Sequence, residues 1–169
     1  MMNLRCSQKL LRRMRLPDDL DATESTTALG DWYGTILCTR PSQIVLCMSE
    51  RSRLCVPLYA RDIDTVPRRL RKELRELLLH FDISQDVIDQ ELWEMESLCF
   101  ASTRGPSESR SILGSLNDFT QITKVHMELE DQILSDLAEY LSKVPCGPLY
   151  GRFPRDVTCE LLNARFSAH

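Results

Sequence analysis

Apolar residues recur at two different spacings along this chain, and the switches between them divide it into elements. Met2 to Cys6 reads as a short strand. Ser7 then suits a helix N-cap, because its hydroxyl can accept an orphan N–H. Leu10, Leu11 and Met14 continue at helical spacing until Pro17 stops the run. Residues 17–27 are polar and acidic and read as a mobile surface loop. In residues 27–38, Trp32 and Ile36, with Tyr33 and Leu37, fall at helical spacing and predict a short helix. Gln43 to Ser49 and Leu54 to Ala60 are β-branched apolar runs joined by the polar linker 50–53, which predicts an antiparallel hairpin. Pro57 places the second run at a sheet edge, where its missing N–H is not needed.

The strongest helical stripe is Leu70, Leu74, Leu77, Leu78 and Phe81, predicting a helix from about Val66 to His80 with Pro67 in its first turn. Ser84 is placed to cap the next helix, which buries Ile88, Leu92 and Met95. Leu98 to Ser102 reads as a further strand and Thr103 to Ser109 as a turn-rich connector. Helices of about 112–127 and 131–143 follow, the first with Ile112, Leu116 and Phe119 on one side, the second burying Ile133, Leu137, Tyr140 and Leu141. Pro145 and Pro148 end the last of these, and 150–169 reads as a peripheral C-terminal tail, partly helical near 158–165. The predicted fold is α+β in one domain of 169 residues. It is a small antiparallel sheet, the hairpin of about 43–60 plus one or two further strands, covered by about five helices.

Composition narrows the class without naming a chemistry. Hydrophobic residues make up 43% and charged residues 27%, near the averages of globular domains. No run of about 18 apolar residues is present, so no membrane span or membrane partner is expected. The basic start, Met1 to Arg15, lacks the apolar stretch of a secretory signal. Seven cysteines, widely spaced and with no C-x-x-C, read as reduced thiols of a cytoplasmic protein. No metal site is expected, because zinc ligands come in close pairs and His80, His126 and His169 stand in none. Helix position accounts for His80, and a solvated helix face for His126.

The net charge of −4 conceals opposed blocks. Residues 1–16 carry Arg5, Lys9, Arg12, Arg13 and Arg15 without an acid, whereas 17–31 carry five acids without a base. Residues 61–80 hold six bases against four acids, including Arg68, Arg69 and Arg71. Arg5, Lys9, Arg12, Arg13, Arg68, Arg69 and Arg71 therefore form a candidate basic surface for nucleic acid. Alternatively, the blocks of opposite sign satisfy one another within the fold.

Phosphate loops, H-E-x-x-H and G-x-S-x-G are absent, so no cofactor is expected and no catalytic residue is assigned. Two polar clusters stand out. In the first, Gly30 permits a turn, Asp31 can cap a following helix, and Trp32 and Tyr33 offer rings to stack a base or a partner side chain. In the second, Arg110 and Ser111 open a predicted helix that continues through Ser115, Asn117 and Asp118. A helix N-terminus binds anions, and an arginine there can clamp phosphate or carboxylate. For each cluster the alternative is structural, with the rings anchored in the core and Arg110 paired to an acid.

Four segments occur in order: L-R-C-S-Q-K-L-L (Leu4–Leu11), T-T-A-L-G-D-W-Y (Thr26–Tyr33), L-C-M-S-E-R (Leu46–Arg51) and R-S-I-L-G-S-L-N-D-F (Arg110–Phe119). Together they resemble an uncharacterised family of small bacterial proteins carrying a domain of unknown function, over residues 2–150. The resemblance implies a bacterial, cytoplasmic, single-domain protein and brings no activity with it. It draws attention to Arg110, Ser115, Asn117 and Asp118, and marks 17–25 as a variable insert. The expected function is a non-enzymatic binding or regulatory protein with a protein or nucleic-acid partner. The alternative is a metal-independent enzyme, or binder, acting on a nucleotide or phosphorylated substrate at the 110–119 helix start.

Overall fold

A computed structural model describes residues 1–103, 109–129 and 133–166. Among the described residues, five strands form one sheet in the order β4-β3-β2-β1-β5: β1 (Met2–Cys6), β2 (Trp32–Leu37), β3 (Ile44–Ser49), β4 (Cys55–Tyr59) and β5 (Leu98–Ser102). Six α-helices accompany them among those residues: α1 (Gln8–Met14), α2 (Val66–His80), α3 (Gln85–Glu94), α4 (Ser109–Leu129), α5 (Leu134–Ser142) and α6 (Pro154–Phe166). The connector expected at 103–109 lies, apart from its ends, outside the described residues, as do Asp131 at the expected start of the fifth helix and His169.

The sheet is mixed, which corrects the antiparallel expectation. β1 runs parallel to both β2 and β5, while β2, β3 and β4 form an antiparallel meander. Tight hairpins can only produce antiparallel neighbours, and parallel ones require a crossover. Here α1 supplies the crossover from β1 to β2, and α2 with α3 supplies the one from β4 to β5.

The segment 32–37 is a strand rather than a helix. Trp32, Gly34 and Ile36 face one side, and Tyr33, Thr35 and Leu37 the other, so the apolar spacing that suggested a helix satisfies a period of two equally well. Gly34 faces α1: an added Cβ would sit 2.9 Å from Leu10 Cδ2. Its missing side chain lets that helix lie close to the sheet.

Two apolar layers result. On the first face, Met2, Leu4, Trp32, Val45 and Val56 pack under α1, α2, α3 and α6. On the second, Tyr33, Leu37, Ile44, Leu46 and Met48 pack under α4 and α5. Every residue of β3 is buried, which is why it reads as an unbroken apolar run. The α2 stripe lies as expected, with Leu70, Leu74, Leu77 and Leu78 buried and Pro67 in the first turn. Each leucine stabilises the fold by about 1.5–3 kcal/mol, an upper estimate because the unfolded chain is already partly compact. α6 carries Leu162, fully buried in the first layer, so part of the 150–169 segment is built into the core.

Local signals are partly realised. Ser7 caps α1, its hydroxyl accepting from Leu10 N at 3.3 Å. The helix ends before Pro17 because Arg15 adopts a left-handed conformation (φ 59) and its N–H bonds back to Arg12 O. Ser84 occupies the N-cap of α3 but makes no cap hydrogen bond. Pro57 lies on the edge strand β4, as expected. The acidic loop is tied to the sheet at several points: Ser102 N donates to Leu20 O (2.9 Å), and Thr23 N to Asn3 Oδ1 (3.0 Å).

Candidate functional site

The first polar cluster folds inward. Gly30 has φ +77, a conformation that disfavours side chains, and a Cβ there would lie 2.7 Å from Glu50 Oε2. Asp31 follows, 4% exposed. Its carboxylate accepts from Arg5 Nε at 2.7 Å and from Asn3 Nδ2 at 2.8 Å. Arg5 also lies over the Tyr33 ring, 5.7 Å from its centroid. The paired Asp31 raises the Arg5 pKa despite the opposing effect of burial, the largest single influence. Because 32–37 is a strand, Asp31 caps no helix. Trp32 is fully buried and Tyr33 nearly so, which removes both rings from any stacking role on the surface. Burial also pushes the Tyr33 hydroxyl pKa up.

The loop carrying this cluster is held by a residue that the sequence reading passed over. Glu91 of α3 is fully buried, and its two oxygens accept from Ala28 N (2.8 Å) and Leu29 N (3.0 Å). Burial lifts its pKa above the ordinary carboxylate value, against the two amide bonds that lower it.

The second cluster stays at the surface in part. Arg110, Ser111, Asn117 and Asp118 are exposed on α4, whereas Ser115 is buried and bonds back to Ser111 O at 3.3 Å. Asp31 does not join them; it belongs to Arg5 and Asn3. Instead, Arg53 reaches α4 from the β3–β4 turn. Its Nη2 donates to Ser111 Oγ at 3.2 Å. Arg53 is 9% exposed, and its Nε has no partner among the described residues. Burial lowers its pKa. The backbone at Arg53 is left-handed (φ 61), held by Ser49 O accepting from Arg53 N at 3.1 Å. In sequence it is one base within a short polar linker, and nothing in that linker signals where the turn points.

The proposed basic surface divides. Arg5 is spent on Asp31. Arg71 pairs with Glu96 at 3.1 Å. Arg69 holds the chain after β4, with Nη1 donating to Tyr59 O (2.8 Å) and Nη2 to Arg61 O (2.6 Å). Lys9, Arg12, Arg13 and Arg68 are exposed. Arg13 lines an open depression of about 430 Å³ with Ser42, Gln43, Tyr59, Ala60 and Arg61. Arg12, Arg13 and Arg15 line a second, of about 570 Å³, with Asp62 and Asp64. The Arg61 guanidinium stacks on the Tyr59 ring, 5.2 Å from its centroid. Tyr59 and Arg61 were not among the expected residues. They join Arg13 only because β4 ends beside the last turn of α1.

His80 meets Glu139 at 3.0 Å, and His126 packs on Tyr140 with ring centroids 4.3 Å apart rather than standing free in solvent. All seven cysteines are free, with Cys38 exposed and Cys6, Cys47, Cys55 and Cys146 buried. Burial pushes the Cys6 thiol up to about 12. Among the described residues, no group of three His, Cys, Asp or Glu side chains is close enough to hold a metal ion. No helix is long and apolar enough to cross a membrane, again among the described residues.

A family profile matches the chain from residue 3 to residue 157, nearly its whole length. The chain belongs to the DUF6933 family. The family is described as a domain of unknown function. Its match runs from β1 into α6, so the Arg53 turn, the start of α4 and the Arg13–Arg61 depression all lie inside the family's region. No curated protein and no solved structure matches the chain.

Proposed function

We propose that this DUF6933 chain is a non-enzymatic binding protein for a single nucleic-acid strand, received by the two depressions between α1 and the end of β4. The observation that carries the reading is the set of Arg12, Arg13, Arg15 and Arg61 around adjoining hollows, with Tyr59 in the wall. Arginines at this density suit phosphates, which they bind bidentately. A guanidinium lying over an aromatic ring leaves a flat outer face on which a base can stack. Asp62 and Asp64 offset part of the charge, so the site suits few phosphates rather than a long duplex track. The exposed positions of Asn117 and Asp118 on α4 are proposed to be surface, without a role in this contact. Bacterial origin rests on the resemblance of the four segments alone. A cytoplasmic location is supported by seven unpaired cysteines, which an oxidising compartment tends to pair.

Fluorescence anisotropy with short labelled RNA and DNA strands tests the proposal. If all four arginines engage phosphates, log K falls with log salt at a slope of about −3. Arg13→Ala with Arg61→Ala removes about half of that slope. Tyr59→Leu weakens binding by about 1–3 kcal/mol while leaving the slope unchanged. Binding that ignores salt, or that survives Arg12→Ala, Arg13→Ala and Arg61→Ala together, refutes the proposal and leaves a protein partner as the better reading.

A further inference from the structure

We propose that the first turn of α4, with Arg53 beneath it, is a separate binding site for a phosphate monoester group on a small molecule. The decisive feature is a buried cation without a counter-ion. Arg53 is 9% exposed, yet no ion pair to it is found among the described residues. A guanidinium withdrawn from water without a carboxylate partner costs several kcal/mol unless an anion offsets the loss. The carboxylate of Glu50, on the same turn, favours the Arg53 charge only at a distance: one of its oxygens accepts from Asp31 N at 3.1 Å, and it makes no ion pair with Arg53. Asp31 in turn is committed to Arg5 and Asn3. Nη2 of Arg53 donates to Ser111 Oγ, which aims the side chain at the start of α4, and its buried Nε has no partner among the described residues.

α4 supplies what a buried arginine alone lacks. It is 21 residues long, and no acid stands in its first turn. The amide groups of a first helical turn have no partner within the helix, and the helix dipole adds positive potential there. Arg110 and Ser111 are exposed at this turn, so a second guanidinium and a hydroxyl can meet an incoming anion from the solvent side. Two guanidinium groups and a hydroxyl, at the positive end of a long helix, form a donor set that matches the oxygens of a phosphate dianion better than the two of a carboxylate. Arg53 precedes β4 and Tyr59 ends it, so this site and the arginine-lined depressions occupy opposite ends of that strand. The inference therefore stands or falls independently of nucleic-acid binding.

The test uses the whole chain, titrated with inorganic phosphate and then with glycerol phosphate, at ionic strength held constant with sodium chloride. Calorimetry and thermal unfolding serve as the two readouts. Saturable binding is expected, with a matching rise in Tm. Arg53→Lys, which keeps the charge but loses the fork, weakens it by about tenfold. Ser111→Ala weakens it by about threefold. Arg53→Gly abolishes it while keeping the fold, because glycine accepts the left-handed backbone at this position. Arg13→Ala with Arg61→Ala leaves the Arg53-dependent phosphate binding in place. Absence of saturable binding to either probe overturns the inference. So does phosphate affinity that survives both Arg53→Lys and Arg53→Gly, or that is lost in Arg13→Ala with Arg61→Ala.

Discussion

Replacing Asp31 by alanine separates a structural role for the Gly30–Tyr33 cluster from a functional one. The carboxylate is 6% exposed and its Arg5 partner 19%, with 2.7 Å between Nε and Oδ2. Breaking a fully buried pair by removing one partner costs about 3–5 kcal/mol, chiefly because the other charge is left uncompensated. Arg5 retains partial access to solvent, which places the expected loss at the lower end, about 3 kcal/mol. Asn3 loses one acceptor but keeps Thr23 O at 2.7 Å, so it adds little. For a urea slope of about 2 kcal/mol/M, the midpoint falls by about 1.5 M. Equilibrium unfolding followed by tryptophan fluorescence measures this, because Trp32 is fully buried and adjacent. In Arg5→Met with Asp31→Ala, both charges are gone and much of the loss returns, so the double-mutant cycle yields a coupling above about 1 kcal/mol. A midpoint shift below about 0.3 M, the scale of an ordinary surface substitution, refutes the reasoning and returns Asp31 to the list of functional candidates.

Three further outcomes follow from the packing. Gly34→Ala drives a Cβ to 2.9 Å from Leu10 Cδ2 and destabilises by about 1–3 kcal/mol; a thermal melt that does not change contradicts the close approach of α1. Burial raises the Glu91 pKa in the folded state, so its proton-linked contribution is present below the unfolded value and lost as pH rises through the folded one. The stability of the wild type relative to Glu91→Gln therefore declines as pH rises above the ordinary carboxylate range, and urea midpoints that show a constant or rising difference count against the buried carboxylate. Thiol labelling of the native protein modifies exposed Cys38 first, while Cys6, Cys47 and Cys55, whose thiols burial holds protonated, react only on unfolding; early labelling of Cys47 refutes the placement of β3 inside the sheet, between β2 and β4.

The helix α2 and the β3–β4 hairpin were legible because each carries its own answer locally. Leu70, Leu74, Leu77 and Leu78 are meaningful only at helical spacing, and the short polar linker 50–53 leaves the two apolar runs no option but to pair side by side. The segment 32–37 was ambiguous because Trp32 and Ile36 are compatible with either period. Its neighbours resolved the choice: β1 and β3 offer backbone partners on both sides of it. The basic block at the start was equally visible, yet its members part company in space. Arg5 alternates with Leu4 and Cys6, so it faces the layer opposite theirs, where Asp31 waits. Arg12 and Arg13 sit on the exposed side of α1. Arg53 and Arg61 gave no local sign, since each is one base in a polar turn and its role depends on what the turn approaches.

Periodicity and turn chemistry by themselves determined that the chain is α+β, that most elements stand where they do, and which side chains are apolar enough to need burial. Those are short-range properties, set by steric preference and solvent within a few residues. The direction of β1 and β5, the inward turn of Asp31 and Trp32, and the meetings of Arg53 with Ser111 and of Arg13 with Arg61 were decided only by the tertiary structure. Each joins residues dozens of positions apart. Such pairings exist only once the two faces of the sheet have been covered by particular helices, and no local pattern encodes which helix covers which face.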